Sequence, residues 1–183
     1  MNNVLPFDEI NQLETIIRLS FADGKKPELE DIIDWMFDLY LLSYANGVET
    51  TNETLGSDWK PTLDDATKVV DAEVAGKTWR ERTKEYYENN GSAEDFIRIV
   101  ETEAHRDANT GAYVAAREAG ATTKTWHCMM LPTSRDTHIY LDGVSAPIDG
   151  EFYSFKGGKT QYPGQWGIAE EDVNCLCWLS FSK

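Results

Sequence analysis

All three cysteines and two of the three histidines of the 183-residue chain fall in its last sixty residues, Lys124 to Lys183. Thiolate and imidazole are zinc-binding side chains, so the first chemistry to weigh there is a metal centre. Cys175 and Cys177 with His138 supply three suitable ligands, and Asp142, His127 or Cys128 is available as a fourth. Cys-x-Cys is not the common Cys-x-x-Cys knuckle. On a strand it places both thiols on one face, about 6.5–7 Å apart along the chain, so bridging one ion requires a bend. The competing reading needs no ion: the two cysteines pack as small buried hydrophobes beside Trp178, and His138 hydrogen-bonds within the fold. Spacing alone leaves both open. Zinc stands as the candidate cofactor and His138, Cys175 and Cys177 as its candidate ligands.

Hydrolysis is the second chemistry to weigh. His138 would act as base, Asp142 would orient it, and Arg135, three residues before His138 and on the same helical face, would hold a phosphate. The charge pattern argues against a polynucleotide substrate. Net charge is −15, and residues 1–120 carry 12 basic against 25 acidic side chains. Phosphate backbones are bound by clustered Lys and Arg, so direct sequence-specific nucleic-acid binding is not expected. Gly157-Gly158-Lys159-Thr160 lacks the Gly-x-x-x-x-Gly-Lys spacing of a phosphate loop and reads as a plain loop. Trp126, Tyr140, Tyr153, Tyr162, Trp166 and Trp178 read as the core of a small unit, with any exposed member available as an interface anchor. No apolar run approaches the roughly 20 residues of a membrane span, and the first residues lack the features of a signal peptide. The expected setting is a reducing cytoplasm, or a particle assembled in one.

The elements that must position these residues follow from periodicity. Ile10, Leu13, Ile16, Ile17 and Phe21 form a helical stripe ending at Gly24. A second helix begins after Pro27 and is expected to stop at Gly47, leaving Val48–Trp59 as a polar loop. Thr62 with Asp65 marks an N-cap, and the stripe continues through Val74 to Gly76. Thr78–Tyr87 is a charged amphipathic helix. Ser92 with Asp95 opens the longest helix, which runs to about Ala119, is about 40 Å long and carries a row of alanines. Beyond Gly120 the pattern changes: a strand over Thr122–Met130, a short helix over Pro132–Leu141, a turn at Asp142-Gly143, and strands over Glu151–Phe155 and Leu176–Phe181. The expected class is α+β: a mostly helical N-terminal two-thirds, then a small mixed α/β unit with antiparallel strands. The expected divisions are an acidic helical arm (1–60), a helical segment (61–120) and the C-terminal unit (121–183).

The run Ile99-Val100-Glu101-Thr102-Glu103, His105-Arg106, Asn109, Ala115-Ala116 and Ala119-Gly120 resembles a helix of the phage Mu F-like head morphogenesis, or minor head, proteins. Lys124-Thr125-Trp126, Arg135-Asp136-Thr137-His138, Leu141-Asp142-Gly143, Glu151-Phe152, Tyr162-Pro163-Gly164 and Val173-Asn174-Cys175-Leu176-Cys177 follow in that family's order and spacing. With the lead-in Ala75–Arg82, the resemblance covers about residues 75–183. It implies a non-enzymatic structural protein of a phage or prophage head: a minor capsid protein of the virion, made in the host cytoplasm. Such a protein works through contacts with portal, major capsid or scaffold proteins, and some members enter the head and take part in DNA delivery. Trp126, Arg135, Asp142, Gly143, Pro163, Gly164 and Asn174 would then be motif residues of a scaffold, with no catalytic residue. Two departures weigh towards structure: the uncharged Met129–Ser134 stretch, and Leu176 where the family carries arginine between its cysteines. The reading from another class is a metal-dependent hydrolase or toxin-like effector that uses His138, Cys175 and Cys177.

Overall fold

The computed structural model describes residues 7–22 and 26–183. Five helices come first: α1 (Phe7–Ala22), α2 (Leu29–Leu55), α3 (Leu63–Val70), α4 (Trp79–Glu88) and α5 (Ala93–Glu118). The C-terminal part holds β1 (Thr123–His127), α6 (Asp136–Leu141), β2 (Ser145–Pro147), β3 (Phe152–Tyr153), β4 (Lys159–Thr160), α7 (Ala169–Asp172) and β5 (Trp178–Ser182). This is the α+β class that the periodicity predicts. The expected stop at Gly24 lies outside the described residues.

Local chemistry sets the helix starts. Thr62, Thr78 and Ser92 each accept a hydrogen bond from the backbone N–H three residues on, and Asp65, Glu81 and Asp95 reach back to the cap N–H. These reciprocal capping boxes satisfy donors that a helix start otherwise leaves unpaired. Helix α3 ends at Val70, short of the expected extension, and Val74 instead pairs with Lys77 across a tight turn.

Helix α2 corrects the expected stop at Gly47. It runs on through the predicted loop to Leu55 and ends at Gly56, whose φ of 63° is the left-handed conformation that closes a helix. Gly47 serves the crossing of α2 and α5. A Cβ there would sit 2.0 Å from the Ala108 carbonyl oxygen, and one on Gly111 would sit 2.1 Å from that of Tyr44. The two glycines let the backbones approach more closely than any side chain permits.

Helix α5 carries two cores. Phe96, Ile97, Val100 and Ala104 bury against α1–α4 with Ile17, Ile32, Met36, Tyr40 and Trp79. Further along, Tyr113 joins Trp126, Leu141, Phe152, Tyr162, Trp166, Cys175, Cys177 and Leu179. Between these cores lies a buried ionic group. Arg106 pairs with Glu103 and Asp107 and donates to the Val70 carbonyl, while Arg82 closes on Glu103 from α4. Charges this deep persist because they are paired.

Strand β1 is central in a three-stranded sheet of order β2-β1-β5, antiparallel to both neighbours, with Trp126 opposite Leu179 and His127 opposite Trp178. Strands β3 and β4 make a separate two-stranded ribbon. The predicted strands Thr122–Met130, Glu151–Phe155 and Leu176–Phe181 shrink to β1, β3 and β5. Cys175-Leu176-Cys177 consequently lies outside the ladder, in the irregular approach to β5.

Candidate metal centre

His138 enters the site from α6, and Cys175 and Cys177 enter from the segment before β5. All three are buried. His138 Nδ1 lies 3.5 Å from each sulfur, and the three ligand atoms lie within 4.8 Å of one another. Tetrahedral zinc with Zn–S about 2.3 Å and Zn–N about 2.0–2.1 Å places a nitrogen and a sulfur about 3.5 Å apart. The arrangement is therefore a buried His/Cys/Cys cluster geometrically compatible with a zinc ion. Leaving the strand supplies the bend that two thiols at i and i+2 need to face one point.

The surroundings fix the imidazole. Its ring stacks on Trp166 at 6.0 Å and meets the edge of Trp126 at 5.8 Å. On its far side, Nε2 lies 3.2 Å from Glu171 Oε2, a contact oblique to the ring N–H. Glu171 is itself held, accepting from Thr137 Oγ1 and Ser154 Oγ at 2.9 Å each. A bare ring nitrogen facing a carboxylate would be repelled, so this neighbour favours the Nε2–H tautomer and leaves the Nδ1 lone pair towards the thiols. The Cys175 thiol is held well below the ordinary thiol range, first by its hydrogen bond with Cys177, against the opposing effect of burial. Cys177 is pushed up correspondingly by that shared proton and by burial.

Further residues hold the cysteine segment in place. Asn109 on α5 donates from Nδ2 to the Cys177 carbonyl at 3.0 Å. Asn174, in the left-handed region at φ 56°, donates its N–H to Thr102 Oγ1 at 3.3 Å. Asp172 accepts from the backbone N–H groups of Trp166, Gly167 and Ile168, at 2.9, 2.8 and 3.3 Å, and its carbonyl accepts from the Cys175 N–H. Burial outweighs those bonds and raises its carboxyl above the usual range.

The motif residues fall around the cluster. Trp126 packs on it directly. Arg135 donates to the Val173 carbonyl and so ties α6 to the cysteine segment. Asp142 accepts the Cys128 N–H at 2.8 Å, and the Gly143 N–H donates to the Trp126 carbonyl at 2.9 Å. Gly164, at φ 83°, rests on α5, where a Cβ would come within 3.1 Å of the Arg106 Cα; Pro163 beside it is buried. The arrangement proposed for a base at His138 is not what forms. Asp142 is exposed and bonded to Cys128, and the carboxylate beside His138 is Glu171. His127 faces away, bonded to Ser180 Oγ at 2.7 Å and stacked on Trp178. Neither Glu171 nor Asn109 stands out as a ligand-positioning residue in the sequence. Glu171 lies in an acidic run that reads as loop, and its role depends on the fold bringing 171 to 138.

A cavity of about 40 Å³ opens beside the cluster. Its lining includes Cys128, Ser134, Arg135, His138, Cys175 and Cys177. It admits a few water molecules, each needing roughly 10–15 Å³ of such volume.

No family model matches the chain, and no solved structure matches it. The chain is 35% identical over 94 residues, 49% of its length, to the NAD(+)–arginine ADP-ribosyltransferase EFV of Enterococcus faecalis, and this covers 19% of that protein. It is 32% identical over 83 residues, 44% of its length, to the minor head protein GP7 of Bacillus phage SPP1, covering 27% of that protein. The link to a head protein is therefore partial, and an enzyme shares in it. The expected non-enzymatic structural role in a phage head is corrected on two findings: the buried His/Cys/Cys cluster able to hold a metal, and the higher identity of the two, which is to an enzyme.

Proposed function

We propose that the chain is the metal-binding module of a metal-dependent hydrolase of the toxin-like effector kind, with His138, Cys175 and Cys177 as protein ligands. The convergence of one imidazole nitrogen and two thiols at zinc-like separations, 3.5 Å from Nδ1 to each sulfur, carries this reading. Similarity to an enzyme over half the chain supports it. Zinc bound there supplies a Lewis acid that can polarise a carbonyl or activate water near neutral pH.

The protein's own residues supply the rest. Glu171 holds the His138 tautomer, and Trp126 and Trp166 fix its plane. Arg135 and Ser134 at the cavity offer donors to an oxygen of the reacting group. A cavity of about 40 Å³ does not enclose a small molecule. The substrate is instead an ester or amide group presented at the tip of a larger molecule, and the acidic surface disfavours a polynucleotide.

The test is metal analysis of protein purified without chelator, joined to hydrolysis of ester and peptide substrates. One equivalent of zinc is expected, with turnover that is lost on chelation or in Cys175→Ser and restored to the wild type by added zinc. Less than about a tenth of an equivalent would remove the reading, since a three-ligand buried site binds tightly. Turnover unchanged in Cys175→Ser would do the same.

A further inference from the structure

We infer that Cys128 is a gated fourth ligand of this centre: its thiol closes the side that the cavity leaves open, and its withdrawal opens it. The inference rests on the metal-binding reading above and adds to it the regulation of the same site.

The alternation of β1 places Trp126 and Cys128 on the same inward face, one residue beyond the last ladder pair. There the Cys128 N–H leaves the ladder and donates to Asp142, which fixes its backbone, and Cys128 lines the cavity with His138, Cys175 and Cys177. Its side chain is buried, with 7% exposure, and its thiol has no hydrogen-bond partner among the described residues. The two other candidates are elsewhere: His127 is held by Ser180, and Asp142 is exposed and outside the cavity lining.

In the described conformation Cys128 is not among the atoms within 4.8 Å of one another. With an ion bound, this conformation would offer three protein ligands and leave one side free. Cys128 shares the cavity lining with the three ligands, so coordination by it requires its side chain to rotate towards them. Closing is a ligand exchange without oxidation or reduction. With the ion bound, the Cys128 S–H proton would pass to solvent and the thiolate would take the fourth position in place of a water molecule. The closed Cys3His set is the inert, structural type, whereas the open set is the reactive type. The same thiol thus decides which of the two this centre is.

Two measurements on the full chain test this. Zinc-edge X-ray absorption of the wild type is expected to count three sulfurs and one nitrogen. With cobalt(II) in place of zinc, Cys128→Ser is expected to keep one equivalent of metal, with thiolate-to-cobalt absorbance reduced to about two-thirds of the wild type. Hydrolytic turnover, slow in a wild type whose centre is mostly closed, should rise in that variant. Two sulfurs in the wild type, or cobalt absorbance unchanged by Cys128→Ser, would overturn the Cys128 inference and leave the three-ligand site standing. Failure of the wild type to bind either metal would overturn both. The absorption measurement needs no variant, so a poorly folding Cys128→Ser protein does not leave the question open.

Discussion

Glu171 shows how much of the centre depends on a residue that touches no metal. Its carboxylate sits behind His138 and is pinned by Thr137 and Ser154, so the imidazole meets the thiols through Nδ1. Partners of this kind typically contribute 10–100-fold to metal affinity. Glu171→Ala should therefore weaken zinc binding by about that factor, as read by competition with a chromogenic chelator, while Glu171→Gln, which keeps an acceptor, should lose less. Equal affinity in wild type and Glu171→Ala would deny it this role. His105 makes a separate prediction. It is buried in α5, both ring nitrogens lack partners among the described residues, and burial lowers its pKa to about 4. Below its unfolded value near 6.5 the unfolded chain takes up the proton first, so its contribution is fully present above that pH and is lost as pH falls towards 4. The stability advantage of wild type over His105→Gln should grow by up to about 3 kcal/mol between pH 4 and pH 6.5. Denaturant melts at several pH values would show a constant difference if the ring were solvated.

At the scale of elements, the α2–α5 crossing is the joint on which both cores depend. Gly111 meets the Tyr44 carbonyl and Gly47 meets that of Ala108, at distances no Cβ survives. Neither backbone can yield locally, because both are helical at the contact, so the axes must separate. Overpacking in a tight core costs about 1–3 kcal/mol, and a backbone-on-Cβ clash belongs at or above the top of that range. Gly111→Ala is expected to lower stability by about 3 kcal/mol or more in equilibrium denaturation. Gly56→Ala meets no neighbour and should cost only the left-handed strain, about 1 kcal/mol. Similar losses at the two sites would mean that the close approach does not matter.

At the scale of the whole molecule, α5 links the helical core to the centre. Asn109 holds the Cys177 carbonyl, Thr102 receives the Asn174 N–H, and Tyr113 packs on Tyr162 at 4.9 Å. The C-terminal unit has little regular structure of its own, and its aromatic core surrounds the cluster. Metal removal should therefore act unevenly. Chelation is expected to lower the melting temperature by roughly 10 °C at saturating prior zinc. It should also reduce the near-ultraviolet circular dichroism of Trp126 and Trp166 and leave the far-ultraviolet helix signal of α1–α5 nearly unchanged. A chelated protein identical in all three measurements would show that the cluster does not support this unit.

Features under short-range chemical control are legible in the sequence. Capping residues three apart placed the starts of α3 and α5, the three- and four-residue apolar stripes placed the helices, and the change of pattern after Gly120 marked the passage to strands. It also supplied His138, Cys175 and Cys177 as the residue types zinc prefers. Gly47 shows the limit. A glycine in a helical stripe reads as a stop unless the partner helix that requires it is known. The roles of Glu171 and Asn109 were illegible for the same reason, since their partners lie 33 and 68 positions away in the chain. Whether two thiols and an imidazole face one point, with which nitrogen and on which side left open, depends on where β5 begins and how α6 meets it. Only tertiary packing sets that.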